Sequence, residues 1–511
     1  MIISLSVLVI TIIVSGTYAL YKAQLSKNIG VNTTTHGLAY YINYVKGTDI
    51  TAATLNPSTS YESGASSDIE FWKKDDSYDI YGKIDLTVNT IGTNLKNSPA
   101  LKYAVVNNGN VLSTGSLKGT TSGSKVTILK NLYLEQTKQI YTVYVWLDNS
   151  EELGNISNES LSISVDCTAS LQKEPAADTI ISLYTNASKT AVTNNGKDYN
   201  TAPSVSLMND RLGGTTTDLD DGNIRYYGAS PNNYIYFNCS DYSNQTSSTC
   251  ETWRIIGVFD GKLKLIRGSQ IGKYSWDNKN TSTGAEDNYG KNDWTTARLM
   301  KLLNPDDYYI NDNNDKDSEG NYLGYSLYYN SASGMCFTDE GVNYSACDFT
   351  STGIKNDETR NMIAETTYYL GGWNSYSVYP NEIYEYERGT TVYTGRPPTW
   401  PGKIALAYPS DYGYAADLNQ CKDKTLYYYD NSTCTSNNWM KAILGTSSHG
   451  WLLTPYSGHS YYAWHVRSGG NVYSYLAYGA YGAVPVLSLS SELGIESGGD
   501  GSSSNPYKLS A

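Results

Sequence analysis

The chain has 511 residues, enough for two or three domains, and its 17% of charged residues leave a net charge of −13. An acidic chain without basic runs is a poor partner for nucleic acid or anionic lipid, and we expect neither. Its aromatic residues almost all carry a polar tip, since there are 49 Tyr and 10 Trp but only 5 Phe. This composition is typical of β-rich extracellular domains and binding surfaces, and not of a cytosolic α/β enzyme.

The first 22 residues predict an export or anchoring segment. Residues 2–21 carry no charge and are mostly apolar, so they are long enough to span a bilayer or to form the apolar part of a secretion signal. The first charge is Lys22, so the usual basic start of a signal is missing. A cleaved signal and a membrane anchor both stay open. Either one predicts a protein outside the cell or on its surface, with membrane contact only through this segment.

Residues 30–170 predict an all-β sandwich. Residues 78–88 alternate apolar and polar side chains, and residues 141–148 repeat the pattern. The side chains predicted to point inward in the first run are Ile80, Ile84, Leu86 and Val88. Turn sequences such as Asn-Asn-Gly at 107–109 separate the strands. Because alternating strands need a second sheet to cover their apolar faces, the prediction is a sandwich.

Two short motifs in this first third suggest a family. Gly-Thr-Tyr-Ala at 16–19 follows the apolar run, and Val-Trp-Leu-Asp at 145–148 precedes a Ser-rich last strand. With them the chain resembles the camelysin and biofilm-matrix-fibre family of exported Gram-positive proteins. The resemblance implies a surface or matrix protein, and some members polymerise by exchanging strands. Camelysin is described as a protease, but the sequence has no His-Glu-x-x-His motif, so no protease activity is carried over.

The rest of the chain divides into a linker and a mixed domain. Residues 171–205 are polar and weakly patterned, which predicts a linker. Residues 206–511 predict an α+β domain with long loops. Its strongest local signal is the pair of apolar runs at 253–267 around Asp260-Gly261, the pattern of a β-hairpin with a type I′ turn. The other predicted elements are helices over 294–303, 357–370 and 438–444, and strands over 404–408, 451–454 and 484–489.

Six of the seven cysteines fall into local pairs that each close a short polar loop. The pairs are Cys239 with Cys250, Cys336 with Cys347, and Cys421 with Cys434. None has the two-residue spacing of a zinc site, so we expect three disulfides formed in an oxidising compartment. Cys167 lies on the apolar side of an alternating strand and is predicted to be a buried free thiol.

Several short motifs of the second half suggest another family. In chain order they are Arg-Tyr-Tyr-Gly at 225–228, Pro-Asn-Asn-Tyr at 231–234, Trp-Arg-Ile-Ile-Gly at 253–257, Val-Pro-Val-Leu at 484–487, Gly-Gly-Asp-Gly at 498–501 and Asn-Pro-Tyr at 505–507. This half resembles a domain of gut Gram-positive surface proteins. Its plan also resembles the C-type-lectin-like fold of formylglycine-generating enzymes and of the variable receptors of diversity-generating retroelements. Relatives often have Arg where this chain has Val484, so that position is given no role.

Residues 456–481 predict a ligand-binding face. The twelve candidate residues, interleaved with Ser and Gly, are Tyr456, His459, Tyr461, Tyr462, Trp464, His465, Arg467, Asn471, Tyr473, Tyr475, Tyr478 and Tyr481. Antibody-like surfaces have the same composition, because Tyr and Trp give large contact area at little entropic cost. The resemblance to variable receptors implies that this segment is hypervariable. The alternative is a Tyr-rich structural hairpin in a Tyr-rich protein.

Calcium is the one candidate cofactor. Asp315, Asp317 and Glu319 alternate before Gly320, as in the first half of a calcium loop, but Ser326 stands where that pattern needs a Glu. A solvated acidic loop is therefore the alternative. Three of the four histidines, His449, His459 and His465, would bind a metal only if they converge in space, and we expect ordinary surface roles for them.

The sequence has no catalytic signature: there is no phosphate-binding glycine loop, no Gly-x-Ser-x-Gly elbow and no paired-histidine zinc motif. The cysteines are expected to be structural, which leaves formylglycine-type oxidase chemistry without a nucleophile. We therefore expect a protein that is not an enzyme, secreted or displayed on the cell surface, which binds a protein or glycan ligand in adhesion. A self-assembling fibre or matrix subunit is the main alternative, and a secreted hydrolase is the third.

Overall fold

The computed structural model describes residues 23–24, 41–52, 55–156, 159–211, 222–277, 289–309, 327–332, 334–339 and 343–510. They form two compact units. The first unit runs to residue 174 and includes 494–500, and the second comprises 175–493 and 501–509. None of the described helices is long and apolar enough to cross a membrane. The predicted export or anchor segment, residues 1–22, lies outside the described residues.

The first unit is a β-sandwich, as predicted. One sheet has the strand order β1-β11-β6-β9 with β3 on β11, and the other has the order β2-β5-β10-β7-β8 with β4 on β10. The strands are β1 Ala23–Gln24, β2 Ile42–Val45, β3 Ile50–Ala52, β4 Pro57–Ser58, β5 Ala65–Lys73, β6 Tyr81–Ile91, β7 Leu101–Asn107, β8 Asn110–Ser116, β9 Lys125–Tyr133, β10 Ile140–Asp148 and β11 Leu161–Ser170.

Side-chain alternation explains this architecture. Every second residue of β11 is buried, and the inward side chains predicted for 78–88 are all fully buried. The inner faces of the two sheets, with Leu86 on one and Val143 on the other, share a single hydrophobic core. Asn108 and Gly109 join β7 to β8 with φ of 48° and 80°, as a type I′ turn requires.

The second unit contains two large sheets and seven α-helices among its described residues. The sheet orders are β12-β13-β14-β15-β17-β18-β29-β24, with β16 on β17, and β19-β28-β25-β26-β27. Two-stranded sheets pair β20 with β21 and β22 with β23. The strands are β12 Thr190–Asn194, β13 Lys197–Ala202, β14 Leu207–Asn209, β15 Ile224–Tyr226, β16 Tyr234–Phe237, β17 Glu251–Phe259, β18 Lys262–Arg267, β19 Gly272–Ser275, β20 Gly334–Asp339, β21 Asn343–Cys347, β22 Thr366–Tyr369, β23 Thr399–Gly402, β24 Ile404–Ala405, β25 Gly450–Pro455, β26 Tyr462–Val466, β27 Val472–Leu476, β28 Ala480–Ala483 and β29 Val486–Ser488.

The helices of this unit are short, and one core joins both sheets to them. Leu452 and Trp464 of one sheet pack with Ile266 and Val486 of the other in this core. The helices are α1 Ala176–Asn186, α2 Arg298–Leu303, α3 Asp357–Met362, α4 Pro380–Arg388, α5 Pro409–Tyr414, α6 Ser432–Ser436 and α7 Lys441–Leu444. Two further short strands, β30 Gly494–Ile495 and β31 Leu509–Ser510, lie near the end of the chain.

The linker predicted for 171–205 is instead ordered structure. Helix α1 starts directly after Pro175 and buries Ile180 and Tyr184, four residues apart, as one apolar stripe. The hairpin β12–β13 follows, and its turn at Asn195-Gly196 has φ of 48° and 69°. The polar residues of this hairpin concealed its strand character. Residues 494–500, predicted in the C-terminal domain, belong to the first unit, where the Lys130 amide donates to Ser497 Oγ over 2.6 Å.

The predicted hairpin at 253–267 forms, with Asp260 and Gly261 at φ of 49° and 70°. The predicted helices are shorter than expected. Helix 294–303 is a 3₁₀ turn capped by Asp293 followed by α2, and helix 438–444 is reduced to α7. Helix 357–370 ends as α3 at Met362, and the β-favouring residues Thr-Thr-Tyr-Tyr at 366–369 form β22.

All three predicted disulfides form. They join Cys239 to Cys250, Cys336 to Cys347 and Cys421 to Cys434. Such bonds persist where the surroundings are oxidising, so the protein folds in an oxidising compartment. Cys167 is the free cysteine, and it is fully buried in the core of the first unit.

We expect Cys167 to resist a thiol reagent in the native protein and to react after unfolding. Its side chain is 0% exposed, and burial raises the pKa of its thiol well above the usual range. The measurement is thiol titration before and after guanidinium denaturation, without reductant. A Cys167→Ala variant is the control and is expected to give no signal in either state. Native reactivity, or more than a single thiol after unfolding, would contradict the burial or the disulfides.

Candidate ligand-binding surface

The Tyr-rich segment forms strands β26, β27 and β28 of the five-stranded sheet, with β27 at its edge. Strand pairing sets which side chains share a face. His465 lies opposite Tyr473 and Ala463 lies opposite Tyr475, so these four residues line one face. Trp464 lies opposite Ser474 on the other face, which packs into the core of the unit. The outer face therefore carries the rings of Tyr473 and Tyr475, which are at least partly exposed.

Nine of the twelve predicted residues reach the surface and three do not. The partly or fully exposed ones are Tyr456, His459, Tyr461, Tyr462, Arg467, Tyr473, Tyr475, Tyr478 and Tyr481. Trp464, His465 and Asn471 are buried, so they are not direct contacts for a large ligand. Composition cannot separate these groups, because alternation along the strand decides which rings point outward.

One group of rings forms what we call the tyrosine ridge: Tyr289, Tyr456, His459, Tyr461, Tyr462 and Tyr478. Tyr289 lies 5.1 Å from Tyr461 and 6.0 Å from Tyr478 between ring centroids. His459 lies 4.9 Å from Tyr462 and stacks on Tyr456 at 6.0 Å. Each ring is partly supported by its neighbours while part of it stays in solvent. The ridge is therefore a continuous, pre-ordered aromatic surface.

Tyr376 connects this ridge to the edge strand. Its ring stacks on Tyr473 at 4.1 Å and on Tyr456 at 5.3 Å, and its hydroxyl pairs with Ser474 Oγ at 2.8 Å. Tyr427 lies 6.2 Å from Tyr473. Tyr289, Tyr376 and Tyr427 were not among the residues predicted from the sequence. They lie far along the chain from residues 456–481, and local composition does not distinguish them from the other tyrosines.

A second group, the histidine cluster, consists of His449, Trp451, His465, Tyr475 and Tyr481. Tyr481 covers the other rings, with centroids 4.8 Å from Trp451, 4.8 Å from His465 and 4.9 Å from His449. Tyr475, which is 40% exposed, lies 5.3 Å from Tyr481. Two of the three candidate histidines thus converge, while His459 belongs to the ridge.

The electrostatics of the histidine cluster favour neutral imidazoles. Burial lowers the pKa of His465 well below its usual value, and the nearby charge of Arg467 acts in the same direction. Burial also lowers the pKa of His449, with further contributions from Arg467 and Lys273. Both rings are therefore uncharged at neutral pH.

No metal centre is found among the described residues. They contain no group of three or more His, Cys, Asp or Glu side chains that could hold an ion. The candidate calcium ligands Asp315, Asp317 and Glu319 lie outside the described residues, so calcium binding stays a prediction.

The strongest cluster of ionisable groups is buried, away from the surface rings. Arg225 donates from Nε to Asp210 over 2.5 Å and from Nη1 to Asp411 over 3.0 Å, and Lys264 Nζ reaches Asp411 over 2.5 Å. All four side chains are less than a tenth exposed. Burial alone would raise the pKa of Asp411, but Lys264 and Arg225 outweigh it and lower that pKa. We call these four residues the buried charge network, and its burial marks it as structural.

Glu387 of α4 lies beside this network. Its carboxylate accepts from the amide and the hydroxyl of Ser410, over 2.9 Å and 2.5 Å. Burial raises the pKa of Glu387 to about 7, with Arg388 and Ser410 opposing the shift. The folded protein therefore holds a proton at Glu387 between pH values near 4.5 and near 7, where the unfolded chain does not.

We expect this proton to make stability depend on pH. The contribution is complete below the unfolded pKa near 4.5 and is lost as the pH rises through about 7. Glu387→Gln keeps the shape of the side chain and cannot become charged. As the pH rises from 5 to 8, the free energy of unfolding of the wild type should therefore fall by about 2–3 kcal/mol relative to that of the variant. Urea denaturation followed by tryptophan fluorescence measures this. Glu358→Gln, at an exposed position, is the control, and parallel pH profiles for wild type and Glu387→Gln would contradict the assignment.

Comparison with models of known protein families gives no match for this chain, and comparison with curated proteins gives none either. The two family resemblances of the sequence therefore stay expectations. A function for this chain has to be argued from the exposed rings and the charges beside them.

Proposed function

We propose that this chain is an exported bacterial surface or secreted protein whose second unit, of C-type-lectin-like plan, binds a ligand through the tyrosine ridge and the histidine cluster. In this proposal the protein acts in adhesion or display and is not an enzyme. The observation that carries it is the set of partly exposed rings on one five-stranded sheet and in the segments beside its strands. Monomeric proteins rarely expose contiguous apolar surface unless it is a binding site.

The chemistry of these rings supports a ligand-binding role over a purely structural one. A core tyrosine is fully buried, whereas each tyrosine of the ridge stays partly exposed to solvent. Stacking fixes them before a ligand arrives, so little side-chain entropy is lost on binding. Tyr, Trp and Arg are also the residues that most often dominate binding energy at interfaces. Arg467 packs over the ring of Tyr473 at 4.6 Å, which supplies such a pair.

The three disulfides support the proposed location. They fit a protein that works outside the reducing cytoplasm. Export through residues 1–22 is part of the proposal, with the segment acting either as a membrane anchor or as a cleaved signal.

We expect a Tyr461→Ala, Tyr475→Ala double variant to lose ligand binding by at least about tenfold while it remains folded. One ring belongs to the ridge and the other to the histidine cluster, and neither is buried, so truncation removes contact area without opening a core cavity. Glycan and protein arrays probed with wild type and variant measure binding, and thermal unfolding checks the fold. Tyr78→Ala, an exposed tyrosine of the first unit that is 45% exposed, is the matched control.

The same variants separate ligand binding from self-assembly. If the rings joined copies of the chain in a fibre or matrix, the double variant would change the sedimentation of the protein and array binding would be absent throughout. Binding that is equal in wild type and double variant would show that the ligand contacts another surface.

A further inference from the structure

Among the described residues, two cations beside the histidine cluster lack a carboxylate partner. Arg467 and Lys273 are exposed, and neither forms an ion pair or a side-chain hydrogen bond with a described residue. Both charges act on His449, from β19 on one side and from the turn between β26 and β27 on the other. The result is a local positive field on an acidic protein.

His449 adds a fixed hydrogen-bond donor to this field. The Ser468 amide donates to His449 Nδ1 over 2.9 Å, and an amide N–H can only donate. The neutral imidazole therefore carries its proton on Nε2, which faces away from Ser468 on the ring. Gln270 Nε2 donates a hydrogen bond of 2.6 Å to the His449 carbonyl oxygen, and the backbone of His449 adopts a left-handed φ of 56°. The donor is thus oriented before any ligand binds.

His465 lies buried within the histidine cluster. It is 1% exposed and lies within 6.5 Å of His449, Trp451, Tyr473, Tyr475 and Tyr481 between ring centroids. Its buried Nδ1 has no hydrogen-bond partner among the described residues.

We infer that the histidine cluster, with Arg467 and Lys273 beside it, binds the carboxylate or sulfate group of an acidic sugar. This inference rests on the proposed function and names the chemistry of its ligand. Arg467 and Lys273 supply charge, His449 Nε2 supplies a neutral donor, and the exposed ring of Tyr475 supplies an apolar face for the sugar ring. Donors without a nearby acceptor select an anion over a cation or a neutral amide.

The geometry favours a sugar over an acidic peptide. A peptide that binds a sheet commonly adds a strand at its edge. At β27 the edge is covered, since Tyr376 stacks on Tyr473 and bonds to Ser474, and Tyr427 lies against the same ring. At the histidine cluster, the Tyr475 side chain is 40% exposed and offers its ring as an apolar face to a single sugar ring.

The test uses three sugars that share one core: 3′-sialyllactose, 3′-sulfolactose and lactose, with a tetraglutamate peptide as the fourth probe. Binding to the full chain is measured by calorimetry. We expect at least one acidic sugar to bind at least about tenfold more tightly than lactose. Arg467→Gln should abolish that preference, and His449→Asn, which tolerates the left-handed backbone, should weaken it. Lys422→Gln, an exposed cation with no contact to these rings among the described residues, loses the same charge and should change nothing.

Several results would overturn the inference: equal binding of lactose and both acidic sugars, a preference that survives Arg467→Gln, binding of tetraglutamate alone, or no binding of any of these probes. Failure here is separable from failure of the proposed function. If array ligands still depend on Tyr461 and Tyr475 while acidic sugars show no preference, the binding surface stands and only its proposed ligand class falls.

Discussion

The buried charge network is the constraint on which the second unit depends. Arg225 on β15 and Lys264 on β18 are enclosed with Asp210 and Asp411, and removing any one would leave the buried charges unbalanced. Such a loss typically costs about 3–5 kcal/mol. The network joins β15 to α5 across 186 residues of chain. Aromatic rings complete it, since the Arg225 guanidinium lies 4.5 Å from the ring of Phe259 and 4.8 Å from that of Tyr414.

This network also positions the sheet that carries the exposed rings. Asp411 accepts from the amide of Tyr408 over 3.0 Å, which fixes the start of α5. One residue earlier, the Ala407 carbonyl accepts from the amide of Leu453 on β25, and β25 is the neighbour of β26 in the sheet. A few hydrogen bonds to the backbone therefore connect the buried charge network to the sheet that carries the exposed tyrosines. A change at Asp411 would therefore disturb the sheet that carries the exposed tyrosines.

Local features of the fold were predictable and distant ones were not. Asn108-Gly109 and Asp260-Gly261 indicate their hairpins because only a few residues accept both left-handed turn positions. Cysteine spacing indicated the three disulfides, and alternation indicated the sandwich. The strands β12 and β13 were not predicted because Asn, Lys and Asp interrupt their few apolar residues, although the two strands pair locally as a hairpin. Likewise, the composition of 456–481 indicated the aromatic surface. The local sequence does not indicate that Trp464 is buried, nor that Tyr376 packs against this segment.

The alternation of β27 has a consequence for how this surface can change over time. Tyr473 and Tyr475 point outward, while Val472 before them and Ser474 between them are buried. Under the proposed function, substitutions at Tyr473 and Tyr475 would alter what the surface recognises and leave the core untouched, whereas Val472 and Ser474 maintain the fold. The proposed specificity and the stability of the fold would then depend on separate residues of one short strand. Natural selection could sample new ligands without a matching loss of folded protein.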